Sequence, residues 1–134
     1  MSGELQAVYY RAADGSQPVD GFLGSLPVKH QVAVDNQIRR LNLLTLERPH
    51  LPFPHSSQID GDLRELRCHY GPVLYRILYR RSRNLIVLLH AFRKDTGQVP
   101  PGETEIGRAR WEDFRARMNA SRRVPPRAAG RDAP

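Results

Sequence analysis

Arginine, lysine and histidine side chains recur along the stretch from residue 62 to residue 95. From Arg64 to Lys94 there are eight arginines and lysines against one acid, Glu65, a balance of +7 that equals the formal net charge of the whole chain. Arginine binds phosphate through paired N–H donors, and histidine exchanges a proton near neutral pH. The stretch therefore predicts a surface for a polyanion, and it contains the groups that metal-free RNA cleavage would need.

Strand geometry would bring some of these side chains to one face of a sheet, because alternate residues of a strand point to the same side. A predicted strand at 63–68 carries Arg67 on one row and Arg64 on the other. The next, 73–80, places Arg76 on the row of Leu74, Leu78 and Arg80. In the third, 84–92, the apolar row that we expect to face the helices is Leu85, Val87, Leu89 and Ala91. The opposite row, expected to open toward solvent, ends in His90, Phe92 and Lys94.

These rows predict a cluster of Arg67, Arg76, His90 and Lys94, with Tyr70 at the nearby turn. The stretch has few carboxylates, so a two-metal nuclease centre is not expected. It also has no glycine-rich phosphate loop, no GxSxG elbow and no HExxH motif, and no cofactor is predicted. The alternative is that these charges form only the solvated edge of a sheet.

Two histidines, His50 and His55, lie in a proline-rich segment, 47–61, that is predicted to be a loop. Their spacing could in principle suit a metal ion, but no other ligand lies nearby in sequence. Solvated loop histidines or RNA contacts are the favoured interpretation, and no metal site is predicted.

The predicted elements that position these residues follow the order β-α-α-β-β-β-α. A first strand at 5–12 precedes two helices, 18–26 and 27–46, that should form a hairpin packed on one sheet face. The three strands described above come next, and a final helix spans 103–120 with acids in its first turn. This order predicts an α+β fold with a small, mostly antiparallel, four-stranded sheet.

Length and composition indicate one domain. The chain has 134 residues and a pI near 10.3. Residues 1–120 are predicted to form the domain, and the proline-, arginine- and alanine-rich segment 121–134 to be a disordered basic tail. No signal peptide or membrane span is visible, and Cys68 is the single cysteine, so a cytoplasmic protein that does not bind membranes is expected.

Several short segments resemble the RelE/HigB-like toxins of bacterial type II toxin–antitoxin modules, in particular their phage-derived HigB-like branch. These are DLRELR (62–67), YRILY (75–79), IVLLHAFRKDT (86–96), PPGETEIGRA before and within the last helix, and the opening VYYRAADGSQPVDGFLGSL. Together they cover residues 5–119. The resemblance implies a RelE-like fold and a ribosome-dependent endoribonuclease that cuts mRNA in the ribosomal A site.

The resemblance also implies roles by position. Arg76 would steady the scissile phosphate, Lys94 would be the basic residue after the last strand, and His90 would fill the histidine position of the phage-derived branch. His90 is the first candidate for the base that deprotonates the 2′-OH, with Tyr70 or Tyr79 as substitutes, and Lys94 or a histidine would protonate the leaving oxygen. The remaining residues predicted to bind RNA are Arg64, Arg67, Tyr70, Arg80, Arg81, Arg83 and Arg93.

The partners implied are a cognate helix-turn-helix antitoxin, mRNA and the ribosome, with operator DNA contacted only through the antitoxin complex. The sequence departs from the branch at Ala91, which stands in place of a common glycine, and at Asp95, in place of a second lysine. Two alternatives stay open: a non-catalytic basic RNA- or ribosome-binding module, and a phage-derived interaction protein with the same fold.

Overall fold

Three helices and five strands make up the domain in the computed structural model, which describes residues 4–93 and 99–130. In chain order they are β1 Gln6–Tyr9, α1 Pro18–Gly24, α2 Val28–Leu41, β2 Ser56–Asp60, β3 Leu63–Tyr70, β4 Val73–Ser82, β5 Leu85–Arg93 and α3 Pro101–Met118. The α+β class is confirmed, and the predicted elements occur in the predicted order with one additional strand. Among the described helices, none is long and apolar enough to cross a membrane.

The strands form one mixed sheet in the order β1-β5-β4-β3-β2, with β1 parallel to β5 and the other pairs antiparallel. The prediction of four strands is therefore wrong, because Ser56–Asp60 pairs with β3 inside the segment predicted to be a loop. This strand, Ser-Ser-Gln-Ile-Asp, is mostly polar and lies at the sheet edge, where only one side needs a partner. Its composition gives no strand signal, and its pairing with β3 supplies the missing stability.

Each face of the sheet is covered by helix. The α1–α2 hairpin packs on one side, which we call the hairpin face, where Leu66, Ile77 and Leu88 are buried. On the other side, the α3 face, Leu78, Leu89 and Phe92 are buried with the α3 residues Trp111 and Phe114. Burial on both faces explains the nearly continuous apolar run of β5.

An irregularity in β5 decides which of its side chains lie on the α3 face. Leu78 is opposite His90 and Tyr79 is opposite Leu88, so Leu89 is an extra residue of the kind found in a β-bulge. Before the bulge, Leu85, Val87 and Leu89 lie on the α3 face; after it, His90 and Phe92 lie there as well, while Ala91 packs on the hairpin side. The prediction that Leu85, Val87, Leu89 and Ala91 face the helices as one row is therefore wrong at Ala91, which the bulge places on the other side. The prediction that the opposite row opens toward solvent at His90 and Phe92 is also wrong, because both lie on the α3 face and Phe92 is buried.

The close approach of α3 to β4 occurs at Gly107, where an added Cβ would lie 3.1 Å from Leu78 Cδ1. Beyond α3, the expectation of a disordered tail from residue 121 is not met by residues 128–130. Ala128 and Ala129 are buried, and the Gly130 N–H donates to the Tyr9 carbonyl at 2.8 Å. Small alanine side chains allow the segment to lie close against the end of β1, a contact that its polar composition conceals. Residues 131–134 lie outside the described part of the chain.

Candidate functional site

A buried carboxylate held by two guanidinium groups lies on the α3 face. Arg67 Nε donates to Glu65 Oε1 at 2.7 Å, and Arg76 Nη1 is 3.4 Å from Glu65 Oε2. The Ser57 hydroxyl also donates to Glu65 Oε1, at 3.1 Å. The side chains of Glu65 and Arg76 are 1% and 2% exposed, whereas Arg67 is 25% exposed. The group therefore has a net positive charge, and Arg67 is the arginine that presents it to solvent.

His90 is held by two residues of α3. Its Nε2 lies 2.7 Å from Glu103 Oε2, and its Nδ1 lies 3.1 Å from Arg110 Nη1. Because a guanidinium can only donate, Nδ1 must accept, and the proton of the neutral ring is on Nε2, where it is donated to Glu103. Burial lowers the pKa of His90 below its usual value, and the charge of Arg110 adds to this, while Glu103 acts in the opposite direction. This environment favours a neutral imidazole.

We expect that acidification destabilises the protein in part through His90. Since its folded-state pKa is below the unfolded value near 6.5, the unfolded chain binds the proton first. The stabilising contribution is complete above pH 6.5 and is lost as the pH falls toward the lowered pKa. Urea unfolding at about pH 7.5 and about pH 5.5 should show a larger loss of stability for the wild type than for His90→Gln. An equal loss in both proteins would contradict the assignment.

Strand register places a second histidine on the same face. Arg76 is opposite Arg67 on β3 and Phe92 on β5, whereas His90 is opposite Leu78 and His69 is opposite Leu74. His69 and His90 are therefore diagonal neighbours of Arg76 on opposite sides of it, each about 7–8 Å away between Cα atoms. His69 is exposed. An exposed imidazole beside a cationic centre can act as a proton acceptor.

A comparison with protein-family models identifies the family of this chain. Residues 21–112 match the family model described as phage derived protein Gp49-like (DUF891), which is more than half of the chain. The chain belongs to this family. The Gp49-like proteins are a toxin-like family related to RelE/HigB, so the resemblance seen in the sequence is confirmed at that coarser level. No match among curated proteins is found.

The Gp49-like fold brings together some of the predicted site residues and separates others. Arg67, Arg76 and His90 share the α3 face, as predicted, and Lys94 lies outside the described residues. Tyr70 is not part of this cluster, because its ring stacks on His30 of α2 at 4.2 Å, on the hairpin face. Tyr70 lies apart from the cluster because side chains alternate between the two faces along β3.

The predicted RNA-binding arginines are distributed over both faces. Arg80 lies on the α3 face with its guanidinium carbon 4.5 Å from the centre of the Trp111 ring. Arg64 points to the other side, where its Nε donates to the Ser56 hydroxyl at 3.3 Å. The other three, at the β4–β5 turn or the end of β5, are exposed: Arg81, Arg83 and Arg93.

Four residues at this site were missed in the sequence: Phe53, His69, Glu103 and Arg110. The seven-residue spacing of Glu103 and Arg110 puts them two turns apart on one side of α3, a signal that could have paired them. Phe53 is 72% exposed, and the Arg67 guanidinium lies 5.5 Å from its ring centre. In the described part of the chain, no group of three or more His, Cys, Asp or Glu residues is arranged to hold a metal ion.

Proposed function

We propose that this Gp49-like protein is the toxin of a type II toxin–antitoxin module, a ribosome-dependent endoribonuclease that cuts mRNA in the A site by 2′-OH attack. The observation that carries the proposal is the placement of the exposed His69 beside Arg67 and Arg76 on one cationic sheet face. In-line attack needs a base on one side of the phosphorus and an acid on the other. The family membership supports the toxin class.

In the proposed reaction, one imidazole takes the proton of the 2′-OH and the 2′-oxygen forms a bond to phosphorus. The bond to the 5′-oxygen breaks, and the leaving oxygen receives a proton from Lys94. The products are a 2′,3′-cyclic phosphate and a 5′-hydroxyl end. His69 is the favoured proton acceptor, because it is exposed, whereas both ring nitrogens of His90 are engaged by α3.

The arginines have distinct roles in this proposal. Arg67 contacts the scissile phosphate, because part of its guanidinium reaches solvent. Arg76 offsets the charge of Glu65 and keeps the local field positive, since its side chain is almost fully buried. Phe53, beside Arg67, offers an exposed ring on which a nucleobase can stack, a contact typical of single-stranded RNA recognition.

Inducible expression in a bacterial host tests the proposal. We expect growth arrest, with new 5′-hydroxyl ends in mRNA that appear only where ribosomes are translating. Co-expression of the cognate helix-turn-helix antitoxin should restore growth. Cleavage of ribosome-free RNA at the same rate would contradict the ribosome dependence, and arrest without any cut would contradict the enzyme.

A second candidate function is a non-catalytic basic module that blocks the ribosome or RNA. The observation in its favour is the burial of Arg76 together with the engagement of both ring nitrogens of His90. Arrest without cleavage is its expected result in the same experiment. Absence of both arrest and cleavage would instead favour the third class, an interaction protein that shares the fold.

A further inference from the structure

A cavity of about 270 Å³ lies at the end of the sheet remote from Tyr70. Its walls come from the loop after α2, the β2–β3 turn and the end of β4. Tyr79 and Ile86, which line it, belong to the core on the hairpin face, so the cavity opens on the side of the sheet opposite to His90. The proposed cleavage site does not use it.

The charged lining of the cavity is mostly basic. Its basic residues are Arg64, Arg81 and His50. The one carboxylate among the lining residues is that of Asp62, which is 82% exposed and 3.5 Å from Arg80. Burial lowers the pKa of His50, and the positive charges of Arg64 and Arg81 lower it further, while Asp62 acts weakly in the other direction. The two guanidinium groups are thus close enough to His50 to disfavour its protonation.

Hydrogen bonds fix one wall of the cavity. The Ser56 and Tyr79 hydroxyls are 2.6 Å apart in a buried contact, and Arg64 Nε donates to the Ser56 oxygen at 3.3 Å. Two residues beyond Tyr79 on β4, Arg81 Nη1 donates to the Arg83 carbonyl at 3.2 Å. Each guanidinium uses one of its donors in these bonds and retains others for a ligand.

We propose that this cavity is a phosphate-binding site, in which Arg64, Arg81 and His50 bind one phosphate group. Convergent N–H donors on fixed guanidinium groups suit the oxygens of a phosphate. The site goes beyond the proposed cleavage activity, because it lies on the other sheet face and needs no reaction. Two sources carry the same chemistry: the terminal phosphate of a nucleotide and a phosphodiester of an RNA backbone.

Titration of His50 by NMR tests the site in the full-length protein. Inorganic phosphate should shift the His50 resonances and raise the pKa of His50, because the anion offsets the fields of Arg64 and Arg81. Phosphate should accordingly bind more tightly below the pKa of the bound state than well above it. His50 resonances that do not respond to phosphate, at either pH, would overturn the proposal.

Two matched arginine variants separate the site from general surface charge. Arg81→Gln removes a lining guanidinium and should weaken phosphate binding about tenfold, the effect of one lost charge-assisted contact. Arg83→Gln, on the same turn but not lining the cavity, removes the same charge and should change the affinity little. Equal weakening by the two variants would show screening of net charge and would overturn the proposal.

The two sources are distinguished by replacing phosphate with nucleoside monophosphate or with a short oligoribonucleotide that has no terminal phosphate. If only the nucleoside monophosphate shifts the His50 resonances, a terminal phosphate is the ligand. The same response to the oligoribonucleotide identifies the RNA backbone. Failure of mRNA cleavage in cells would leave these outcomes unchanged, so the two proposals fail independently.

Discussion

Arg76→Ala is expected to lower the free energy of unfolding by about 3 kcal/mol and to abolish growth arrest. Removing one partner of a buried ion pair usually costs about 3–5 kcal/mol, because the other charge stays buried without compensation. The lower end applies here, since Arg67 still pairs with Glu65 after the substitution. The substitution also lowers the local net charge from +1 to 0, because Arg67 alone then offsets Glu65, and cleavage should fall by about 10²- to 10³-fold. Urea unfolding and cleavage of ribosome-bound mRNA measure the two effects separately.

A charge-balanced control is needed because an unstable variant can lose activity simply by unfolding. Combining Arg76→Met with Glu65→Gln removes both buried charges and should recover most of the lost stability. We expect this double variant to fold and to recover most of the cleavage, since Arg67 alone then gives the same local net charge of +1 as the wild type. Poor cleavage by the folded double variant would contradict the electrostatic role of Arg76, and unchanged unfolding of Arg76→Ala would contradict the importance of the Glu65 pair.

The strands from β3 to β5 could be predicted because their alternating or continuous apolar residues are typical of sheet interiors. β2 could not, because an edge strand made of Ser-Ser-Gln-Ile-Asp is stabilised by its neighbour β3 rather than by its own composition. The bulge at Leu89 was also invisible. Leu85, Val87 and Leu89 are as apolar as Ile86 and Leu88, and both rows are buried, so hydrophobicity does not tell which row faces which helix.

The part of the candidate site that lies on the sheet could be predicted from the sequence, whereas the contacts made by α3 could not. Arg67 and Arg76 share a face because β3 and β4 pair without a register shift, so strand periodicity alone was sufficient. Glu103 and Arg110 reach His90 only because α3 docks on β5, and the direction of a docked helix depends on packing such as the Gly107 contact with Leu78. Tyr70 was placed with the cluster because the turn is near it in sequence, whereas the alternation of side chains along β3 puts Tyr70 on the hairpin face.

The α3 helix therefore does more than cover an apolar face. Burial and the charge of Arg110 favour the neutral form of His90, and its contacts with Glu103 and Arg110 fix which nitrogen carries the proton. Trp111 contacts the Arg80 guanidinium. A neutral imidazole with a defined proton on Nε2 is a poor base at Nδ1 as long as Arg110 donates to it. The exposed His69 has no such restraint from α3, and this difference separates the roles of the two histidines.

His69→Gln is accordingly expected to lower mRNA cleavage by about 10²- to 10⁴-fold, the usual contribution of a general base, with the free energy of unfolding unchanged. His90→Gln should lower cleavage as well, and it should also change the dependence of stability on pH, because His90 is packed against α3.

The pH dependence of cleavage gives the sharper distinction. If His69 is the general base, the wild-type rate of cleavage rises with pH, and this rise disappears in His69→Gln. The matched control is His30→Gln on the hairpin face. In the wild type, His30 Nδ1 lies 2.7 Å from the Tyr75 hydroxyl, and a glutamine side chain can also form a hydrogen bond with this hydroxyl. Wild-type cleavage by His69→Gln would show that His69 is not the general base. An equal loss of cleavage in His30→Gln would show that the effect of the His69 substitution is not specific to the α3 face.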